Sequence, residues 1–101
     1  MTLRDFSPEV LAELREIWSY IAEDNSEAAD QLEEEIFQAC HRLARNPYLG
    51  HIRPDLTDKP VRFWPVHRNY LIVYRISDST LDIVHVFHAA RDIRSELEEM
   101  D

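Results

Sequence analysis

The stretch Tyr70-Leu71-Ile72-Val73-Tyr74-Arg75-Ile76-Ser77-Asp78-Ser79-Thr80-Leu81-Asp82-Ile83-Val84-His85-Val86-Phe87-His88 decides the fold. Residues 70–76 and 81–88 are rich in Tyr, Ile, Val and Phe, and 77–80 supply a polar turn, so the two runs read as an antiparallel pair. Both parities of 70–76 are apolar until Arg75, which predicts a central strand covered on both faces. Just upstream, 61–66 is a shorter apolar and aromatic stretch interrupted by Arg62 and Pro65, and the proline marks a bulge, an edge or a strand end.

Further towards the N-terminus the period changes from two to between three and four. Ser7 before Pro8 is a strong helix start, and Val10, Leu11, Leu14, Ile17, Trp18 and Ile21 form a core-facing stripe with Glu9, Glu13, Arg15 and Glu16 turned outward. Asp24, Asn25 and Ser26 break and restart the helix. A second stripe of Ala29, Leu32, Ile36, Ala39 and Leu43 predicts an antiparallel helical hairpin that ends at Asn46 and Pro47. Residues 2–6 can form a short strand, and 89–100 a last helix anchored by Leu97 and Met100. The predicted order is β, α, α, β, β, β, α. This is an α+β arrangement with an N-terminal strand, a helical hairpin and a three-stranded antiparallel segment completing a small twisted sheet, with a short C-terminal helix and the helices on one face.

At 101 residues, 45% hydrophobic and 31% charged, the chain has room for one core, so residues 1–101 form a single domain. No apolar run approaches the roughly 20 residues of a membrane span, and residues 1–7 lack a signal-peptide pattern, which predicts a cytoplasmic protein without membrane contact. Cys40 is alone and sits among helical residues, where it reads as a small buried hydrophobe.

The net charge of -9 disfavours a strongly basic nucleic-acid binder, since phosphate affinity comes mostly from Lys and Arg. The charge is unevenly placed. Residues 1–51 carry four Arg against eleven acids and residues 52–94 seven bases against five acids, while the tail from Ser95 adds four more acids. The mildly basic middle is therefore where a site is sought.

Period-two geometry sorts that middle segment into faces. Leu71, Val73 and Arg75 point one way, and Tyr70, Ile72, Tyr74 and Ile76 the other. Arg62, Trp64 and Val66 share a side, and so do Val84, Val86 and His88. Strand register, which the sequence leaves open, decides whether Arg62, Arg75, His88 and Arg91 converge at one sheet edge. Converged, they would bind phosphate, stabilise a transition state or hold a partner's carboxylates. Otherwise Arg75 and Arg91 pair structurally with Asp82 and Asp92. Trp64 is the aromatic expected to lie partly exposed for a partner.

Other chemistries lack their residues. His85 and His88 are three apart on a strand and point to opposite faces, the other histidines are scattered, and no metal site or cofactor is expected. With Gly50 as the one glycine, neither a Gly-x-Ser-x-Gly elbow nor a phosphate-cradling Gly loop exists.

Taken together, Asn46-Pro47-Tyr48-Leu49-Gly50 with Arg53-Pro54-Asp55-Leu56, Val61-Arg62-Phe63-Trp64, Tyr70-Leu71-Ile72-Val73-Tyr74-Arg75 and His88-Ala89-Ala90-Arg91-Asp92-Ile93 resemble the ParE branch of the RelE/ParE toxin superfamily over nearly the whole chain. The resemblance implies the toxin of a bacterial type II toxin-antitoxin pair, neutralised by a cognate antitoxin in a hetero-oligomer. For ParE-like members it implies inhibition of DNA gyrase by protein contact, without catalytic residues and without stable DNA or RNA binding. Arg62, Trp64, Arg75, His88 and Arg91 would then contact antitoxin or target. RelE-like relatives instead cut mRNA on the ribosome. On that alternative Arg62, Arg75, His88 and Arg91 would be catalytic, yet the lysines those enzymes carry on the second helix have no counterpart among Glu33, Glu34 and Glu35. A third alternative is a degenerate, non-toxic member of the family.

Overall fold

The computed structural model describes residues 1–90 and 93–98. The elements are β1 (Thr2–Leu3), α1 (Pro8–Ala22), α2 (Ser26–Arg45), β2 (Arg62–Val66), β3 (Tyr70–Ser77), β4 (Thr80–His88) and α3 (Ile93–Glu98). They form an open sheet in the order β1-β4-β3-β2, with β1 parallel to β4 and the other pairs antiparallel. The α+β architecture is the one expected, with three differences. β1 is two residues long rather than five, residues 89 and 90 form a turn rather than the start of α3, and α3 covers the sheet face opposite the hairpin. Met100, expected as an anchor, lies outside the described residues.

Local chemistry explains the helix bounds. Ser7 Oγ accepts the Val10 N–H at 3.2 Å with Pro8 in the first helical turn, and Asn25 Oδ1 accepts the Ala28 N–H at 3.1 Å to restart the chain as α2. The hairpin buries Val10, Leu14, Ala29, Leu32, Ile36, Cys40, Leu43 and Ala44. Leu11, expected in the stripe, is 46% exposed on the hairpin's outer side. Trp18 instead ties the two helices together, its Nε1–H donating to Asp30 Oδ1 at 2.8 Å.

The sheet has a core on each side. Ile72, Tyr74, Leu81, Ile83 and Val86 meet the hairpin, while Phe63, Val73 and Phe87 meet Val61, Leu56 and the α3 residues Ile93 and Leu97. β3 is central, and Ile72, Val73 and Tyr74 are each fully buried, so the strand apolar on both parities is covered on both faces. β2 is an edge. Phe63 exchanges both backbone hydrogen bonds with His51, so period two places Pro65, which has no N–H, on that same outward side at no cost to the ladder.

Strand β4 departs from the sequence expectation in two places. A bulge between Val73 and Tyr74 in the β3–β4 register turns Val84 away from Val86 and His88 and towards the α3 side. Glu13, expected outward, turns in to the outer edge of β4, where Oε1 accepts the Val86 N–H at 3.1 Å and Oε2 meets His85 Nδ1 at 2.8 Å. Among the described residues β1 pairs only with Thr80 and Leu81 and no strand continues along the edge beyond it, so Glu13 supplies the acceptor.

Cys40 is fully buried and, as expected, packs as a hydrophobe. Burial pushes its thiol up to about 12 from the ordinary 9.0. Because the folded value is the higher one, this contribution is intact below pH ~9 and is lost as pH climbs towards 12, by at most about 4 kcal/mol. Burial also raises the Tyr74 phenol, in the same direction. Thermal melts between pH 8 and pH ~11 are therefore expected to show falling stability above pH ~9, with a shallower fall in Cys40→Ala. A slope unchanged by the substitution would contradict the assignment. Among the described residues no helix is long and apolar enough to cross a membrane.

Candidate functional site

The segment 46–61 joins α2 to β2 without regular structure of its own, and loops of this length are usually functional or tied down. This one is tied down. The fully buried Tyr74 donates its hydroxyl to Pro47 O at 2.7 Å and accepts the Gly50 N–H at 2.8 Å. Arg62 donates to Gly50 O at 2.8 Å and lies over the Tyr48 ring, its Cζ 5.1 Å from the ring centroid. His51 then bridges to Phe63. The turn is thereby locked onto β2 and β3, and Tyr48 and Ile52 are presented to solvent at 70% and 60% exposure.

Beside this turn, Trp64 stands half-buried on the hairpin side of β2. Arg42 from the last turn of α2 lies 5.7 Å from its ring centroid, and His51 stacks on it at 6.4 Å and 20°. A groove of about 350 Å³ runs along the same side, lined by Glu35, Gln38, Ala39, Arg42, Trp64, Pro65 and Val66. Arg62 and Trp64 are thus brought together, as parity predicts, with Arg42 and Tyr48 added by the fold.

Arg75 is elsewhere. It lies on the opposite sheet face, where β3 pairs it with Asp82, and its Nη2 is 3.7 Å from Asp82 Oδ2. Arg4 reaches the same oxygen at 3.4 Å. Asp82 is buried and its Oδ1 has no hydrogen-bond partner among the described residues. Both arginines are well exposed and both contacts are long, so Arg75→Ala is expected to cost less than about 1 kcal/mol, read as a melting shift of only a few degrees. A large loss would show that the pair supports the fold.

His88 occupies a third place, at the end of β4. It meets Tyr70 edge-on at 5.3 Å, its Nδ1 accepts the Ala90 N–H at 3.1 Å, and with Glu13, Glu16, Ile17, Tyr20, Tyr70 and Val86 it lines a mostly apolar groove of about 330 Å³. Arg91, and the pairing with Asp92 considered for it, lie outside the described residues. The register therefore does not gather Arg62, Arg75 and His88 at one edge. Arg62 and Arg75 are separated by the sheet itself, and Arg62 and His88 by the buried Ile72 and Tyr74 rows. Among the described residues no three His, Cys, Asp or Glu side chains are grouped to hold a metal ion.

The family profile for the ParE toxin of the type II toxin-antitoxin system parDE matches residues 5–93. The chain belongs to the ParE toxin family. A solved structure described as the chromosomal ParDE TA system from P. aeruginosa has the same fold as this ParE-family chain, with a TM-score of 0.71 at 21% identity over 87% of this chain and 95% of that one. No curated protein gives a match. Within the ParE frame, the Asn46-to-Gly50 motif has a definite structural job, since it is the turn that Tyr74 and Arg62 hold. Sequence parity found the side shared by Arg62 and Trp64. It missed Arg42, whose signal was an unpaired-looking base ending an acidic helix, and Tyr48, whose exposure depends on the Tyr74 latch.

Proposed function

We propose that this ParE-family chain is a toxin that inhibits DNA gyrase by protein contact and is held inactive by a cognate antitoxin. The observation that carries this reading is the family match over residues 5–93. Two features support contact over catalysis. The arginines at positions where RelE-like enzymes place theirs, Arg62 and Arg75, stand on opposite faces of the sheet, and Arg62 is committed to a backbone carbonyl at 2.8 Å. The acidic shell of the helical hairpin opposes close approach to dense phosphate, and repulsion of this kind is screened only beyond about 8 Å at physiological salt. Arg62, Trp64, Arg75, His88 and Arg91 are proposed as contact residues; Arg62 with Trp64, Arg75, and His88 occupy three separate surfaces, so an antitoxin contacting them wraps the domain rather than plugging one pocket.

Expression without antitoxin tests the reading in cells. Growth should stop with a DNA-damage response and translated mRNA left uncut in primer extension. Cuts within codons would replace the proposal with a ribosome-dependent endoribonuclease, and unaffected growth would mark a non-toxic member.

A further inference from the structure

The cations of this acidic chain are unevenly neutralised. Arg4 and Arg75 share Asp82, and Arg53 is clamped on Asp55 by two hydrogen bonds at 2.9 and 2.7 Å. Among the described residues Arg15 on α1 and Arg68 between β2 and β3 make no ion pair with a carboxylate, and Arg42, Arg45 and Arg62 make none either. The last three belong to the segment 42–62, which holds five bases against two acids within a chain of net charge -9. Arg42 lies over Trp64 and Arg62 over Tyr48, Arg45 ends α2 directly before the locked turn, and Tyr48 and Ile52 are exposed within the same segment. Glu35, the acid that lines the α2–β2 groove, is engaged by His67.

This combination fits one kind of occupant. Arginine, tryptophan and tyrosine are the side chains on which interface energy concentrates, and here two guanidiniums are positioned on aromatic rings, one also fixed by a backbone carbonyl, so less side-chain freedom is lost on binding. We propose that Arg42, Arg45, Tyr48, Ile52, Arg62 and Trp64 form a docking surface for an acidic segment of a protein partner. Its carboxylates meet the unpaired arginines, and an aromatic or aliphatic side chain enters the groove beside Trp64. A nucleic acid is the poorer fit. Its continuous phosphates would run from Arg42 onto Glu34 and Glu35 about two turns earlier on α2, whereas a short peptide needs only the local cations. The proposal rests on the reading of the chain as a protein-contact toxin and specifies the chemistry of the contact.

The test uses the purified full chain and a fluorescein-labelled peptide of alternating Glu and Tyr, followed by anisotropy, with a poly-lysine peptide and a single-stranded oligonucleotide as competitors. Saturable binding is expected that weakens several-fold as salt is raised. It should fall about tenfold or more in Arg42→Gln/Arg45→Gln and, separately, in Ile52→Ser, while the Arg15→Gln control binds as the parent does. Circular dichroism of each variant verifies the fold. Absence of saturable binding, equal loss in the Arg15→Gln control, or tighter binding of the oligonucleotide overturns the proposal. No gyrase enters this experiment, so its failure is distinguishable from failure of the gyrase reading.

Discussion

Gly50→Ala is expected to destabilise the protein by about 2–4 kcal/mol, seen as a melting temperature lower by roughly 10–25 °C. The reason is space rather than backbone strain, since Gly50 does not have a positive φ. A methyl group there would stand 2.4 Å from the Tyr74 hydroxyl oxygen and 2.6 and 2.8 Å from two ring carbons. Tyr74 is fully buried in the hairpin-side core and cannot withdraw without disturbing Ile72, Leu81 and Ile83. Moving the turn instead breaks the Gly50 N–H to Tyr74 bond and the Arg62 to Gly50 bond together. Tyr74→Phe probes the same latch without the clash. It leaves the Gly50 N–H and Pro47 carbonyl without their shared partner and is expected to cost about 1–3 kcal/mol. If Gly50→Ala melts within a few degrees of the parent, the turn is not locked in this way. The Arg62–Tyr48 and Trp64 surface would then lose its structural basis.

The second large effect is expected at Glu13. Glu13→Ala removes the acceptor for the Val86 N–H and the partner of His85, both partly buried, at a cost of about 2–4 kcal/mol, because hydrogen bonds to a charged group exceed neutral ones. Glu13→Gln keeps an acceptor oxygen for Val86 and should recover roughly half of that loss. Hydrogen exchange localises the effect. The Val86 amide should lose protection in Glu13→Ala and retain most of it in Glu13→Gln. Equal protection in parent and alanine variant would mean that the β4 edge does not depend on the carboxylate.

These two positions also mark where the sequence stops being readable. The strands and helices were legible because their apolar residues repeat at periods of two and of three to four, and because Ser7-Pro8 and Asn25 are local cap chemistry. Burial of β3 on both faces was legible for the same reason. The inward turn of Glu13 was not, because it answers to an open edge created by a β1 only two residues long, a property of another part of the chain. Nor was the departure of Val84 from the parity of Val86, which comes from one bulge in the β3–β4 register. The candidate site shows the same division. The common side of Arg62 and Trp64 follows from alternation within one strand, and the structure keeps it. The gathering of Arg62, Arg75 and His88 required register between strands, and the structure places them apart. Arg42 meets Trp64 only through the packing of α2 on β2, and Tyr48 meets Arg62 only through the turn at 46–50, whose role depends on a tyrosine 24 residues later.

The purified chain, freed of antitoxin and added in large molar excess to purified DNA gyrase in a supercoiling assay, tests gyrase inhibition by protein contact. Supercoiling is expected to be lost, and to be restored when the cognate antitoxin is supplied. Undiminished gyrase activity, from protein shown by circular dichroism to be folded, would contradict it.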